Sequence, residues 1–330
     1  MGQNCTACLK GAPAGGKNIQ DVDLSKKFAK EQLQVIREDE RENIETPLMS
    51  DRSEKKYKVY YGNPRLQMGQ KAREMEEILP EFVLKINEQT PFILESGSIY
   101  QGQFDEKWQK SGKGIEITRE GNKYIGNFKD NLWEGFGRLI TSDGNCFEGE
   151  FCEGKLEGKG KMVCYDKLQY QGDFLEGKQH GFGKETWKDG SSYEGMFENG
   201  QKNGHGKFTW SDGSWYEGDF VCNQIEGKGI YSWSNGKRYD GSWSDNKMNG
   251  YGVFTWNDGR IYEGNFINDL KHGKGKFKWP DGKIYSGNWE FGKQHGSGEY
   301  TFFEPKHKKF ITKKGVWEKG IRKEWVKDRV

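Results

Sequence analysis

The chain has 330 residues, of which 32% are hydrophobic and 31% charged, and its 52 basic and 50 acidic side chains nearly cancel. So little apolar content excludes an aliphatic core of ordinary size; 47 glycines, with 20 Phe, 12 Trp and 15 Tyr, must organise the fold instead. The aromatics argue against wholesale disorder. No stretch reaches the roughly 18 apolar residues of a membrane-spanning helix and no apolar run marks a secretory signal, so the chain is expected in the cytosol with its cysteines reduced.

Residues 1–20, rich in Gly, Ala, Gln and Asn, read as a flexible start that opens MGQNCTAC. Cys5 and Cys8 form a Cys-x-x-Cys pair, but a zinc or redox site needs a second ligand pair or a βαβ context, and the sequence supplies neither. Met1-Gly2-Gln3-Asn4-Cys5-Thr6 fits Met-Gly-x-x-x-Ser/Thr, which presents Gly2 for myristoylation once the methionine is removed. A single myristoyl chain holds a membrane only marginally, so palmitoylation of Cys5, or of Cys8, would supply the second anchor. An unmodified start is the competing reading.

Residues 21–91 form a partly helical lead-in. Leu24, Phe28, Val35 and Ile36 would share one side of a helix over 23–40, and a second helix is predicted over Gln67–Leu79, between Pro64 and Pro80. The segment reads either as a loose lead-in or as a partner-binding arm or a helix folded back over the residues beyond 91.

From residue 92 the chain is periodic. Aromatic-x-Gly-x-aromatic begins at Tyr100, Tyr124, Phe147, Tyr170, Tyr193, Tyr216, Tyr239, Tyr262 and Tyr285, with a first spacing of 24 and 23 thereafter, and each unit continues into Gly-x-Gly. Each unit reads as a β-hairpin, since YEGDF and KFTW are short runs of alternating aromatic and small or polar residues bounded by turn chemistry. Asn199-Gly200 would turn inside one unit and Asp212-Gly213 between two. The glycines, lacking Cβ, let aromatic rings lie across the backbone. Half-units around Phe92–Gly97 and Gly315–Trp317 would cap the array, which spans about 92–320.

These residues resemble the MORN (membrane occupation and recognition nexus) repeat. The resemblance implies an all-β repeat array of stacked hairpins forming an elongated, twisted antiparallel sheet that serves as a non-enzymatic scaffold. It departs locally: Thr118, Thr141 and Cys164 stand in a Trp slot, Glu116 and Glu185 in a Phe slot, and Asp166-Lys167 replaces Asp-Gly. Trp187, Trp210, Trp233, Trp256 and Trp279 make the later units regular.

The aromatic stripe, with Tyr193, Tyr216, Tyr239 and Tyr262 and the five tryptophans, is either a groove for a protein partner or simply the core. No catalytic constellation is present: the glycines are spaced for hairpins and not for a phosphate loop, and no Gly-x-Ser-x-Gly elbow occurs. His180, His272 and His295 share a slot that elsewhere holds Glu or Asn, read as a loop position, so no metal site and no cofactor is expected. Residues 305–330, read as a basic C-terminal tail overlapping the last cap, carry 10 basic and 3 acidic side chains. Lys306, Lys308, Lys309, Lys313 and Lys314 could contact an anionic surface, whereas the acidic balance of residues 96–304 argues against nucleic acid.

The expected function is a scaffold on the cytoplasmic face of a membrane, linking it or a cytoskeletal structure to a protein partner. The resemblance allows a place in cilia, axonemes or cortical cytoskeleton. A structural axonemal component with no membrane role, a phosphoinositide-binding regulator and a homodimer stay open.

Overall fold

The computed structural model describes residues 58–60, 62–82, 84–86, 90–165 and 168–326. Gly2, Cys5, Cys8, the helix expected over 23–40 and the Asp166-Lys167 turn lie outside the described residues. The chain divides into two compact units, one holding 22–188 with the turn at 198–200, the other 189–197 with 201–330. Both are all-β arrays of antiparallel hairpins, and the described residues contain one α-helix, α1 (Gln70–Ile78).

From the second repeat on, the hairpin inside each repeat turns on two consecutive residues with positive φ, for example Asn268 (47°) and Asp269 (68°). That is the turn whose twist matches the flanking strands, and Asn, Asp and Gly tolerate it best. An Asn or Asp at the second position also ties repeats together. Asn246 N–H donates to the Ile225 carbonyl at 3.1 Å while its Oδ1 accepts from Ile225 N at 2.7 Å. The turns between repeats are of another kind. Gly213, at φ 83°, donates to the Trp210 carbonyl at 3.0 Å, and Asp212 Oδ1 accepts from Ser214 N at 2.9 Å.

The Gly-x-Gly pair has two different duties. Gly227, at φ 66°, sits in a bulge where the register slips between Gly218 and Asp219. Gly229 pairs with Gly218 beneath the Tyr216 ring, and a Cβ on Gly229 would lie 2.3 Å from the phenol oxygen. Tyr216 Oη–H donates to the Asp219 carbonyl at 3.1 Å. The same hydroxyl bond to the residue three further on recurs at Tyr100, Tyr124, Tyr170, Tyr193, Tyr239, Tyr262 and Tyr285.

In the 22–188 unit, strands β1 (Lys58–Val59) to β10 (Lys178–Trp187) carry the rings of Tyr100, Tyr124, Phe128, Phe151, Tyr170 and Phe174 on one face. Part of the opposite face is covered. Pro64–Gln67 forms a 3-10 turn and α1 comes next, starting three residues later than the sequence predicts and ending at Ile78, one residue earlier, with Leu79 extended ahead of Pro80. Met68, Ala72, Met75 and Leu79 make a helical stripe that packs on Ile117, Ile140, Cys146, Val163 and Tyr165. Polar contacts fix the helix in place: Tyr165 Oη–H donates to Glu74 at 2.8 Å and Lys123 pairs with Glu76. Nearby, Phe82 stacks on Phe136 with centroids 5.9 Å apart, and Arg138 lies over Phe82 while donating to the Pro80 carbonyl at 2.6 Å.

In the 189–330 unit, hairpins run from β11 (Ser192–Glu198) through β22 (Ile321–Trp325). The slot of Ile117, Ile140 and Val163 is taken here by Thr209, Ser232, Thr255, Lys278 and Thr301. These side chains can stay in water, so no helix is needed on that face. The segment expected as a basic tail is largely sheet: β21 (Lys309–Glu318) and β22 are antiparallel partners.

Candidate partner-binding face

Two aromatic ladders run side by side on the ring-bearing face of the 189–330 unit. In the first, each Tyr meets its own repeat's Phe or Trp and that of the next repeat, edge to face. The series Phe197, Tyr193, Phe220, Tyr216, Trp243, Tyr239, Phe266, Tyr262, Trp289, Tyr285, Trp317 has successive centroids 4.9 to 5.5 Å apart. In the second, Phe208, Trp210, Tyr231, Trp233, Phe254, Trp256, Phe277 and Trp279 are tilted on one another at 4.4 to 5.4 Å. Tyr300 extends it at 6.0 Å.

The two ladders differ in what a partner can reach. Tyr193, Tyr216, Tyr239 and Tyr262 are 0% exposed, so these four are core and not contact residues. Burial pushes the phenols of Tyr216, Tyr239 and Tyr262 well above the usual range, and that of Tyr285 to about 12. Trp210, Trp233, Trp256 and Trp279 are half-buried, and their outer edges form an accessible apolar strip. Trp187, in the other unit, is also half-buried.

Of the basic residues, Lys306, Lys308 and Lys309 are exposed around the hairpin tip, and Lys314 is exposed on β21. Lys313 stands apart: it reaches over the rings of Phe302 (5.7 Å) and Trp325 (5.8 Å) on the ladder face. His180, His272 and His295 lie in strands beside the bulge and not in loops. Among the described residues no group of three or more His, Cys, Asp or Glu is placed to hold a metal ion. Burial lifts the Cys146 thiol to about 12, which leaves it inert as a nucleophile.

One slot between the ladders carries no signal in the repeat consensus. It holds Lys110, Trp133, Leu156, Gln179, Lys202, Ile225, Met248, Lys271 and Gln294, spaced 23 apart. Lys110 is paired with Glu116 at 2.7 Å, and Gln179 Nε2 donates to Glu185 at 2.7 Å, so the two acidic departures in the Phe slot answer polar residues in this one. Aligning the repeats by column, instead of searching for the consensus, would have exposed the pairing. Lys271 has Phe277 where Lys110 has Glu116, and its ammonium lies 4.6 Å from the Trp289 centroid, 4.8 Å from Phe277, and 5.5 Å from Trp256 and Tyr262.

A chain of antiparallel hairpins with glycines under tyrosine rings and a fixed period defines a β-repeat scaffold. The MORN repeat pattern matches eight consecutive segments, 124–146, 147–169, 170–192, 193–215, 216–238, 239–259, 262–284 and 285–303, and the chain belongs to the MORN repeat family. Such an array is a repeat-built protein-binding scaffold. No curated protein matches the chain. Among solved structures it is similar to the TCP10 domain of Danio rerio CPAP, at 10% identity over 60% of this chain and 93% of that one, with a TM-score of 0.35. It is also similar to the SAS-4 (dCPAP) TCP domain of Drosophila melanogaster, solved with a proline-rich motif of Ana2, at 10% identity, 62% and 96% coverage and a TM-score of 0.28.

Proposed function

We propose that the chain is a non-enzymatic scaffold that binds a protein partner along the tryptophan ladder. Acyl groups on Gly2 and Cys5, with Cys8 a further acceptor, hold it on the cytoplasmic face of a membrane. The observation that supports partner binding is the accessible strip of Trp210, Trp233, Trp256 and Trp279, a continuous apolar track along the ring-bearing face. The membrane half of the reading rests on the Met-Gly-x-x-x-Thr start beside Cys5. In a ciliary or cortical setting such a molecule would join a membrane to the cytoskeleton beneath it.

Metabolic labelling with a myristate analogue, read beside fractionation of the wild type and Gly2→Ala, tests the tether. Wild type is expected to be labelled and membrane-bound, with Gly2→Ala unlabelled and released. A Gly2→Ala chain still held by membranes would overturn the acyl anchor and point to the basic surface of Lys306, Lys308, Lys309 and Lys314; a wild type that is neither labelled nor membrane-bound would leave a cytoskeletal component without a membrane role.

A further inference from the structure

The ladder face of the 189–330 unit holds a cation that no carboxylate of the described residues neutralises. Lys271 Nζ is ringed by Trp256, Tyr262, Phe277 and Trp289, and no carboxylate of the described residues pairs with it. The charged group acting on it is another cation, Arg260, which lies 5.4 Å over Trp256 and pairs with Asp258 at 2.8 Å. Further along the same face, Lys313 lies over Phe302 and Trp325, and Arg322 lies 4.1 Å over Trp325. The acid near Lys313 is Glu304, whose first partner is His307.

The first repeat shows what this slot accepts. There the ammonium of Lys110 lies over the Phe128 ring at 5.1 Å and takes the Glu116 carboxylate at 2.7 Å, with both side chains about nine-tenths buried. In the Lys271 repeat a phenyl ring replaces that carboxylate, and the described residues supply no second partner. We infer that Lys271 is a carboxylate-recognition point: an acidic side chain of a protein partner, whose apolar neighbours lie along Trp256 and Trp279, seats its carboxylate on the Lys271 ammonium. The cations at Lys313 and Arg322 favour the same acidic partner. Burial against the rings brings the free amine down to about 8, as expected of an ammonium whose lost hydration is not replaced. This inference rests on the partner-binding reading of the tryptophan face and names what that face selects.

The test uses the full chain and two fluorescent probes, a short peptide alternating Glu with Phe and its Gln counterpart, with binding read by anisotropy. At pH 7 the Glu peptide is expected to bind about tenfold more tightly than the Gln peptide. In Lys271→Met the preference should collapse to near equality. That variant is expected to fold, because Met248 already occupies the same slot of the preceding repeat and is 7% exposed. The preference should also fade as pH rises past the titration of Lys271. A wild type that shows no preference, or a Lys271→Met chain that keeps it, overturns the inference. If the two peptides then bind equally and Trp256→Ala with Trp279→Ala abolishes both, the partner-binding reading stands without the carboxylate. If binding ignores the tryptophans, that reading fails as well. Self-association, or binding to vesicles containing phosphatidylinositol phosphate, that is lost in Lys271→Met while the Glu peptide shows no preference would assign the lysine to another occupant and overturn the proposal.

Discussion

The 22–188 and 189–330 units are built from one hairpin and finished differently. In the first, Ile117, Ile140, Cys146 and Val163 make the face away from the rings apolar, and α1 covers it. In the second, Thr209, Ser232, Thr255, Lys278 and Thr301 occupy the slot of Ile117, Ile140 and Val163 and leave that face polar. The ring-bearing faces differ as well. Thr118 and Thr141 stand in the Trp slot of the first unit, and their hydroxyls accept from Asn122 N (3.3 Å) and Asn145 N (3.1 Å) within their own turns. The accessible tryptophan ladder belongs to the second unit. Because successive strand residues point to opposite faces, the array can alter one face without disturbing the other. The tyrosine–glycine stack therefore holds each hairpin, while the two variable columns decide whether a repeat carries a helix or offers a binding strip.

Breaking the shared stack should have the largest effect. Gly229→Ala places a methyl group against the Tyr216 ring and is expected to cost about 2–4 kcal/mol, read by urea unfolding of the 189–330 repeats. An undisturbed midpoint would mean that the ring is not confined as described.

Next comes the column that separates the units. Ile140→Thr, which gives the first unit a residue of the kind found in the second, removes a 2%-exposed side chain from beneath the helix and should cost roughly 2–3 kcal/mol. Hydrogen exchange should speed up in α1 and the strands beneath it, leaving residues 210–290 unchanged. Equal loss of protection in both units would erase the distinction between them.

A smaller effect, of opposite sign, is expected at Lys271. Its folded-state amine titrates near 8 against an ordinary 10.5, so below about 8 the fold holds an unfavourably charged group. The unfolded chain binds more protons between about 8 and 10.5, and this group's contribution to stability therefore rises with pH across that window. Lys271→Met should stabilise the protein by roughly 1–2 kcal/mol at pH 7, and the gain should shrink as pH climbs toward 10. A gain that does not vary with pH would point to simple packing.

Tyr216→Phe should matter least. It removes the donor to the Asp219 carbonyl and is expected to cost about 1 kcal/mol. Phe147 shows that the array tolerates a phenyl ring in that column. Thermal unfolding that loses several kcal/mol would make the hydroxyl, and not the ring, the main prop of the stack.

Much of the fold was legible because its signals are local. Tyr-x-Gly-x-Phe, Gly-x-Gly and the Asn-Gly and Asp-Gly pairs each act within a few residues, through ring size, absent Cβ atoms and permitted positive φ. Their recurrence every 23 residues determined the hairpins, their antiparallel order and the family. The helix before the array was legible from its bounding prolines, though not where it docks.

Tertiary structure decided what depends on contacts between distant residues. Whether Tyr193 or Trp256 faces a partner depends on how neighbouring repeats cover each ring: Tyr193 is sealed and Trp256 is not. The docking of α1 depends on Met75 meeting Ile140, 65 positions along the chain. The character of Lys271 comes from rings contributed by four separate stretches of chain and from the acid that its own slot lacks. The composition of one repeat determines a hairpin because its forces are short in range; burial and charge are set by what the neighbouring repeats place on either side.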